Sequence, residues 1–281
     1  MLIAQLTDLH VRPVGEPANR VVQTNAFTER ALRSVASLQP RPDVVVITGD
    51  LTECGLDAEY ANLAGMLRRY LPMPVFVIPG NHDRREALRQ GLAHLPGVTA
   101  DPRFVQYAAE GYPVRLVMVD TLVPGAGHGE LCPEQLSFLE QTLAAVPDRP
   151  TLIAMHHPPF ACGIGHMDRI NLRNAEAFAG VIARHQQVER IICGHAHRPV
   201  TARVAHAIAS IAPSVAHQVE LTFDPHDPGC FVFEPPAYQL HYWTASAGIV
   251  SHTVLVEQFP GPFPFVNDAE YPGAPANHSA G

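Results

Sequence analysis

The stretch VVVITGD, residues 44–50, decides how the chain reads. The apolar, β-branched run from Val44 to Ile47 predicts a buried strand. It ends in Gly49 and one carboxylate, Asp50. A carboxylate at the tip of a strand is held rigidly and faces a loop crevice, where it can be shared by two halves of an ion site. Alone, Gly-Asp is common turn chemistry. Its weight comes from four segments that repeat the arrangement: Asp8-Leu9-His10, Gly80-Asn81-His82-Asp83, His156-His157 and Gly194-His195-Ala196-His197.

Working outward, each of these segments closes an apolar run. Leu2 to Thr7 predicts the first strand, with Asp8 and His10 beyond it. Phe27, Ala31, Leu32, Val35 and Leu38 repeat at helical spacing, and Pro40 and Pro42 stop that helix. After Asp50, Asp57 is expected to N-cap a helix that buries Tyr60, Leu63, Ala64, Leu67 and Leu71. Val75 to Ile78 is the third strand, and a basic helix is expected from Arg84 towards His94. Strands are expected at Val114 to Val119, Thr151 to Met155 and Arg190 to Cys193. Pro133 suits the first turn of a helix burying Leu136, Leu139 and Leu143, and another helix is expected near Ala175 to His185. Helices alternating with buried strands predict a layered α/β domain. Beyond Pro199 the reading turns to short strands, for example His217 to Phe223, Tyr238 to Trp243 and Ile249 to Val256. The expected division is a catalytic core at 1–199, completing strands and a small cap at 200–258, and a Pro/Gly-rich tail at 259–281.

Composition bounds the function. The chain has 281 residues, 47% of them hydrophobic, enough for one large domain with a substantial core. Its formal net charge of −8, with no basic run, offers no electrostatic footprint for a long nucleic acid or an anionic membrane. A small anionic substrate stays open, because bound metal ions reverse the local field. The five cysteines are scattered, without C-x-x-C spacing, and are expected to be reduced and mostly buried. No signal-peptide pattern or membrane-length apolar run is present, so the expected compartment is the cytoplasm.

Asp8, His10, Asp50, Asn81, His156, His195 and His197 are the candidate ligands. In open α/β sheets, ligands sit beyond the carboxyl ends of strands, so the five clusters should converge. Mixed imidazole and carboxylate ligands suit Zn, Fe, Mn or Co. Seven ligands are too many for one ion and about right for two, with Asp50 as the bridge because its carboxylate has two oxygens. Two metals roughly 3.5–4 Å apart can clamp a phosphoryl group and bind a hydroxide nucleophile. Each residue also has a plainer reading: Asp8 as a turn cap, Asn81 as a left-handed turn residue, His157 as a structural neighbour of Pro158. Taken together, the plain readings need five independent coincidences.

These motifs resemble the full set of the calcineurin-like binuclear metallophosphoesterases. Arg41-Pro42-Asp43, Val123-Pro124-Gly125, His128-Gly129-Glu130 and His156-His157-Pro158-Pro159 resemble its class III cyclic-nucleotide phosphodiesterase and glycerophosphodiesterase branch. Ala216-His217-Gln218-Val219 resembles the glycerophosphodiesterase side. The resemblance implies a four-layer αββα sandwich with a small C-terminal β-rich cap, and association as a homodimer or higher oligomer. It implies that Asp8, His10, Asp50 and His197 hold one metal, and that Asp50, Asn81, His156 and His195 hold the other. It places His82 at the substrate as the catalytic residue, and Asp83 and His217 beside the pocket or behind its wall. The implied reaction is hydrolysis of a small phosphodiester, cyclic AMP or a glycerophosphodiester, by a metal-bound hydroxide. The rivals are a phosphomonoesterase or phosphoprotein phosphatase on the same core, a nuclease, which the charge argues against, and a non-catalytic binding module.

Overall fold

The computed structural model of the chain describes residues 1–264, so most of the tail expected at 259–281 lies outside the described residues. In chain order the elements are β1 (Leu2–Leu6), α1 (Thr24–Ser37), β2 (Val44–Thr48), α2 (Asp57–Tyr70), β3 (Val75–Ile78), α3 (Arg85–Gly91), β4 (Tyr107–Ala109) and β5 (Arg115–Met118). There follow α4 (Pro133–Ala144), β6 (Thr151–Ala154), α5 (Gly165–Asp168), α6 (Ala175–Arg184), β7 (Val188–Cys193), β8 (Val200–Val204) and β9 (Ala207–Ile211). The last are β10 (Gln218–Val219), β11 (Phe231–Val232), β12 (Ala237–Thr244) and β13 (Gly248–Leu255).

Two sheets carry the domain. One has the strand order β13-β12-β1-β2-β3, the other β4-β5-β6-β7-β9-β8. The centre of each is parallel: β1, β2 and β3 in the first, β5, β6, β7 and β9 in the second. Side-chain alternation shows how the sheets stack. Leu116, Met118, Leu152, Ala154 and Ile192 point inward and join a core with β1, β2, α1 and α2. Their neighbours Val117, Ile153, Met155, Ile191 and Cys193 point outward onto Leu139 and Leu143 of α4 and Phe178 and Ile182 of α6. A strand that is apolar at both parities must be covered on both faces, and this gives the layers helix, sheet, sheet, helix. Truncating one such fully buried Leu or Ile to Ala costs about 2–5 kcal/mol.

Three local expectations need correction. Asp57 is the first helical residue of α2 and not its cap. Leu56 holds the cap position, and its N–H and that of Cys54 donate to the Glu59 carboxylate, both at 3.0 Å. The strand expected over 217–223 shrinks to Gln218–Val219, because only these residues find a partner, in Phe231–Val232. Of the five cysteines only Cys193, in β7, is buried; Cys54 and Cys230 are exposed on loops. Pro133 does open α4, where its missing N–H costs nothing.

The segment after Pro199 is woven into both sheets. β12 pairs antiparallel with β1, while β9 pairs parallel with β7 and carries β8. The short β10–β11 pair stands apart from both sheets.

Candidate metal centre

Asp8 and His10 follow β1, Asp50 follows β2, Asn81 follows β3, His156 follows β6, and His195 and His197 follow β7. The first three strands are neighbours in one sheet and the last two in the other. All five carboxyl ends open on one rim, so the centre straddles the seam between the sheets. Apart from Asn81, which is half-buried, every one of these residues is buried.

The donor atoms fall into two groups. His10 Nε2 lies 3.2 Å from His197 Nε2, and His197 Nε2 lies 3.2 Å from Asp8 Oδ1. Asn81 Oδ1 lies 3.1 Å from His156 Nε2 and 3.0 Å from His195 Nδ1. Asp50 Oδ2 stands between the groups, 3.7 Å from His10 Nε2 and 3.4 Å from His156 Nε2. The far nitrogens decide what these donors hold. His197 Nδ1 donates to the His217 carbonyl at 2.9 Å, and His156 Nδ1 to the Thr48 carbonyl at 2.8 Å. A carbonyl only accepts, so each Nδ1 bears the hydrogen and Nε2 is the nitrogen that faces into the site. Imidazole nitrogens, carboxylates and an amide oxygen then converge, a donor set that suits cations. The residues fit two metal ions of the Zn, Fe, Mn or Co kind.

Electrostatics agree with that fit. Burial alone would raise Asp8, but the His197 and His156 rings outweigh it and hold its carboxyl at about 2. Burial is likewise overcome at Asp50, chiefly by His156 and His82, and its carboxyl sits well below the usual range. Burial, reinforced by His156, pushes His195 down to about 3.

The backbone is strained where the candidate ligands sit. Asp8, His10, Asp50, His195 and His197 all adopt positive φ, between 45° and 74°. Only three other non-glycine residues among those described do so, Asn19, Arg20 and Ala205. Such residues cost of order 1–3 kcal/mol each and collect at functional sites. Gly49 and Gly80 leave room for the candidate ligands. A Cβ on Gly49 would overlap the His156 ring, and one on Gly80 would overlap Asp50 Oδ1.

Other residues pack around the candidate ligands. Asp83 is buried and accepts hydrogen bonds from Leu51 N, Thr52 N, Gly80 N and Tyr60 Oη at 2.8–3.2 Å. It ties the loop after β3 to the loop after β2; burial, then Asp50, raises its carboxyl to about 6. His82 does not lean on Asp83: its Nδ1 donates to the Glu53 carbonyl at 2.8 Å, and its side chain is 38% exposed to the cleft. His157 is fully buried, with Nδ1 2.7 Å from Thr121 Oγ1 and Nε2 3.2 Å from the Gly127 carbonyl. His217 stacks edge-on to His197 at 4.9 Å and meets Phe231 at 5.1 Å. Burial, then His197 and His10, push it down to about 2. Together with His10, Asp50 and His195 it lines a cleft of about 390 Å³ bordered by Phe231.

Glu53 is the residue that sequence reasoning missed. Its Oε2 lies 2.7 Å from His10 Nδ1, off the line of a straight hydrogen bond, as a close polar contact behind a candidate ligand. It follows Asp50 by three residues in an irregular loop, where no periodicity marks it.

Comparison with known proteins places the arrangement. Residues 1–199 match the profile of the family described as calcineurin-like phosphoesterase. A "probable glycerophosphodiester phosphodiesterase" of Arcobacter nitrofigilis is 35% identical over 269 residues, 95% of this chain and 98% of its own length. A "probable cyclic nucleotide phosphodiesterase" of Rhodopseudomonas palustris is 37% identical over 261 residues, 90% of this chain and 91% of its own. The fold is shared with a dimetal phosphatase from Danio rerio, with a TM-score of 0.62 at 16% identity over 92% of this chain and 99% of that one.

Proposed function

We propose that this chain, which belongs to the calcineurin-like phosphoesterase family, is a metal-dependent phosphodiesterase acting on small diesters, a glycerophosphodiester or a cyclic nucleotide. The observation that carries the reading is Asp50 Oδ2 standing between two converging donor groups. Asp8, His10, Asp50 and His197 hold one ion; Asp50, Asn81, His156 and His195 hold the other. The ions are of the Fe, Mn, Zn or Co kind, and when bound they supply positive charge to the phosphoryl oxygens and activate a water.

The chain's own residues do the rest. The five strand-end loops fix the donors before substrate arrives, so little reorganisation is needed. His82 stands at the cleft with its Nδ1 hydrogen committed to Glu53 O, which leaves Nε2 to face the phosphate or the departing oxygen. Burial would lower its pKa, but Asp50 and the Glu53 carbonyl raise it above the usual value, which favours the form able to donate a proton. His217 closes the cleft beside His10 and His197.

The catalytic unit is assigned to residues 1–199, with 200–258 completing the sheets and bordering the cleft. No helix among the described residues is long and apolar enough to cross a membrane. The free cysteines support a reducing, cytoplasmic setting. Exposed Phe223 and Phe233, 72% and 60% accessible beside the β10–β11 pair, support a homodimer or higher oligomer. A panel of metal-reconstituted protein with cyclic AMP, glycerophosphoethanolamine, bis(p-nitrophenyl) phosphate and p-nitrophenyl phosphate tests the reading. Turnover of diesters above the monoester is expected; preference for the monoester refutes it.

A further inference from the structure

Two chambers meet at Asn81 and His82. One is the cleft bordered by Phe231, which His10, Asp50, His195 and His197 also line. The other, about 500 Å³, lies beyond His82, with Cys54, Arg84, Glu86, Leu122 and Pro124 in its walls. The chambers share Glu53, Asn81 and His82. A phosphodiester carries two alcohol arms on one phosphorus. A phosphate held at the donor groups beside Asn81 and His82 therefore has room for one arm in each chamber.

Hydrolysis joins one water oxygen to phosphorus and breaks the bond to one alcohol, whose oxygen leaves with a proton. Entering and leaving oxygens lie in line on opposite faces of phosphorus. His82 borders both chambers, and the second chamber receives whatever departs past it.

We propose that the chamber beyond His82 is the leaving-alcohol subsite and that it takes a short hydrophilic alcohol, a polyol or an amino alcohol. This rests on the phosphodiesterase reading above. Apart from His82, the walls carry no aromatic ring among the described residues on which a nucleobase would stack. They carry exposed charges of both signs, Arg84 and Glu86, suited to hydroxyl and ammonium groups. Arg85 is committed elsewhere, in a paired contact with buried Asp120 at 2.7 and 2.9 Å. That clasp binds the start of α3 to the loop after β5, so the opposite walls are tied together. The Arg84 stem packs over Gly55, whose Cβ would come within 2.5 Å of Arg84 Cγ. The cleft on the other side is more apolar, with Met167, Ile170, Val219 and Phe231.

The test uses the full chain loaded with metal. Cys54→Trp and Pro124→Trp narrow the chamber from its two walls; both positions are exposed and neither is a candidate ligand. The substrates are glycerophosphoethanolamine and the methyl ester of glycerol phosphate, whose methanol needs little room. Either variant should lower kcat/KM on glycerophosphoethanolamine about tenfold or more, while methanol release from the methyl ester changes less than about twofold. Equal losses on both substrates in both variants, or no loss on either, overturn the subsite. If unmodified protein hydrolyses neither diester, the phosphodiesterase reading fails first and takes the subsite with it.

Discussion

Glu53→Gln keeps the shape of the side chain behind His10 and removes its charge. In the native chain the carboxylate lies 2.7 Å from His10 Nδ1, with side chains only 14% and 4% exposed. Burial would raise the Glu53 pKa, but His10 outweighs it and holds the group ionised. The nearby carboxylate favours a hydrogen on Nδ1, so that Nε2 is left to face Asp50 and His197. Losing such a partner behind a metal-binding histidine typically costs about 10- to 100-fold in metal affinity. Glu53→Gln, which keeps the shape and loses only the charge, is expected at the lower end, about tenfold or about 1.4 kcal/mol. Glu53→Ala removes the partner altogether and is expected towards about 100-fold. Competition of the protein against a chromophoric chelator measures this, with metal content counted by mass spectrometry. At saturating metal, kcat should return towards the native value, because Glu53 orients a ligand and is not itself part of the reaction. Native metal affinity in both variants would refute the reasoning. So would a kcat deficit that saturating metal does not repair.

Other expectations follow from the same geometry. His82→Ala should keep its metal and lose about 10²–10⁴-fold in kcat; metal loss instead would move His82 into the ligand set. Gly49→Ala combines a φ of +94° with a Cβ that overlaps His156, and should cost about 3 kcal/mol in denaturant unfolding. Gly65→Ala, in open space on α2, should instead stabilise by about 0.5–1 kcal/mol, and similar effects at the two sites would contradict the packing argument. His241 is fully buried, and burial, then Arg190, push its pKa down to about 3. Below the unfolded value near 6.5 the unfolded ring binds a proton that the buried ring refuses, so stability falls with pH by up to about 1.4 kcal/mol per unit until about pH 3. His241→Gln should flatten that slope; parallel pH profiles for the two proteins would reject the assignment.

The layered fold was legible because strands buried on both faces read as unbroken apolar runs, as at Val44–Ile47 and Thr151–Met155. The candidate ligands were legible as a group because each follows such a run, and the structure brings them together. Less legible were contacts that depend on where loops meet. Glu53, Thr121 and the Arg85–Asp120 clasp act through partners distant in sequence or out of register with any repeat. Asp83 follows His82 in sequence, yet it accepts from Leu51, Thr52, Tyr60 and Gly80. The seven-residue strand expected at 217–223 failed because β propensity without a partner strand does not make a ladder. The buried-cysteine expectation failed at Cys54 and Cys230, where loop position outweighs residue type.

The central claim is that Asp50 serves both halves of one dimetal centre, and metal stoichiometry on Asp50→Ala tests it most directly. Reconstituted native protein should carry two ions per chain and hydrolyse bis(p-nitrophenyl) phosphate; Asp50→Ala should carry at most one and lose turnover by at least about 10³-fold. An Asp50→Ala protein with full metal content and normal turnover would contradict the account.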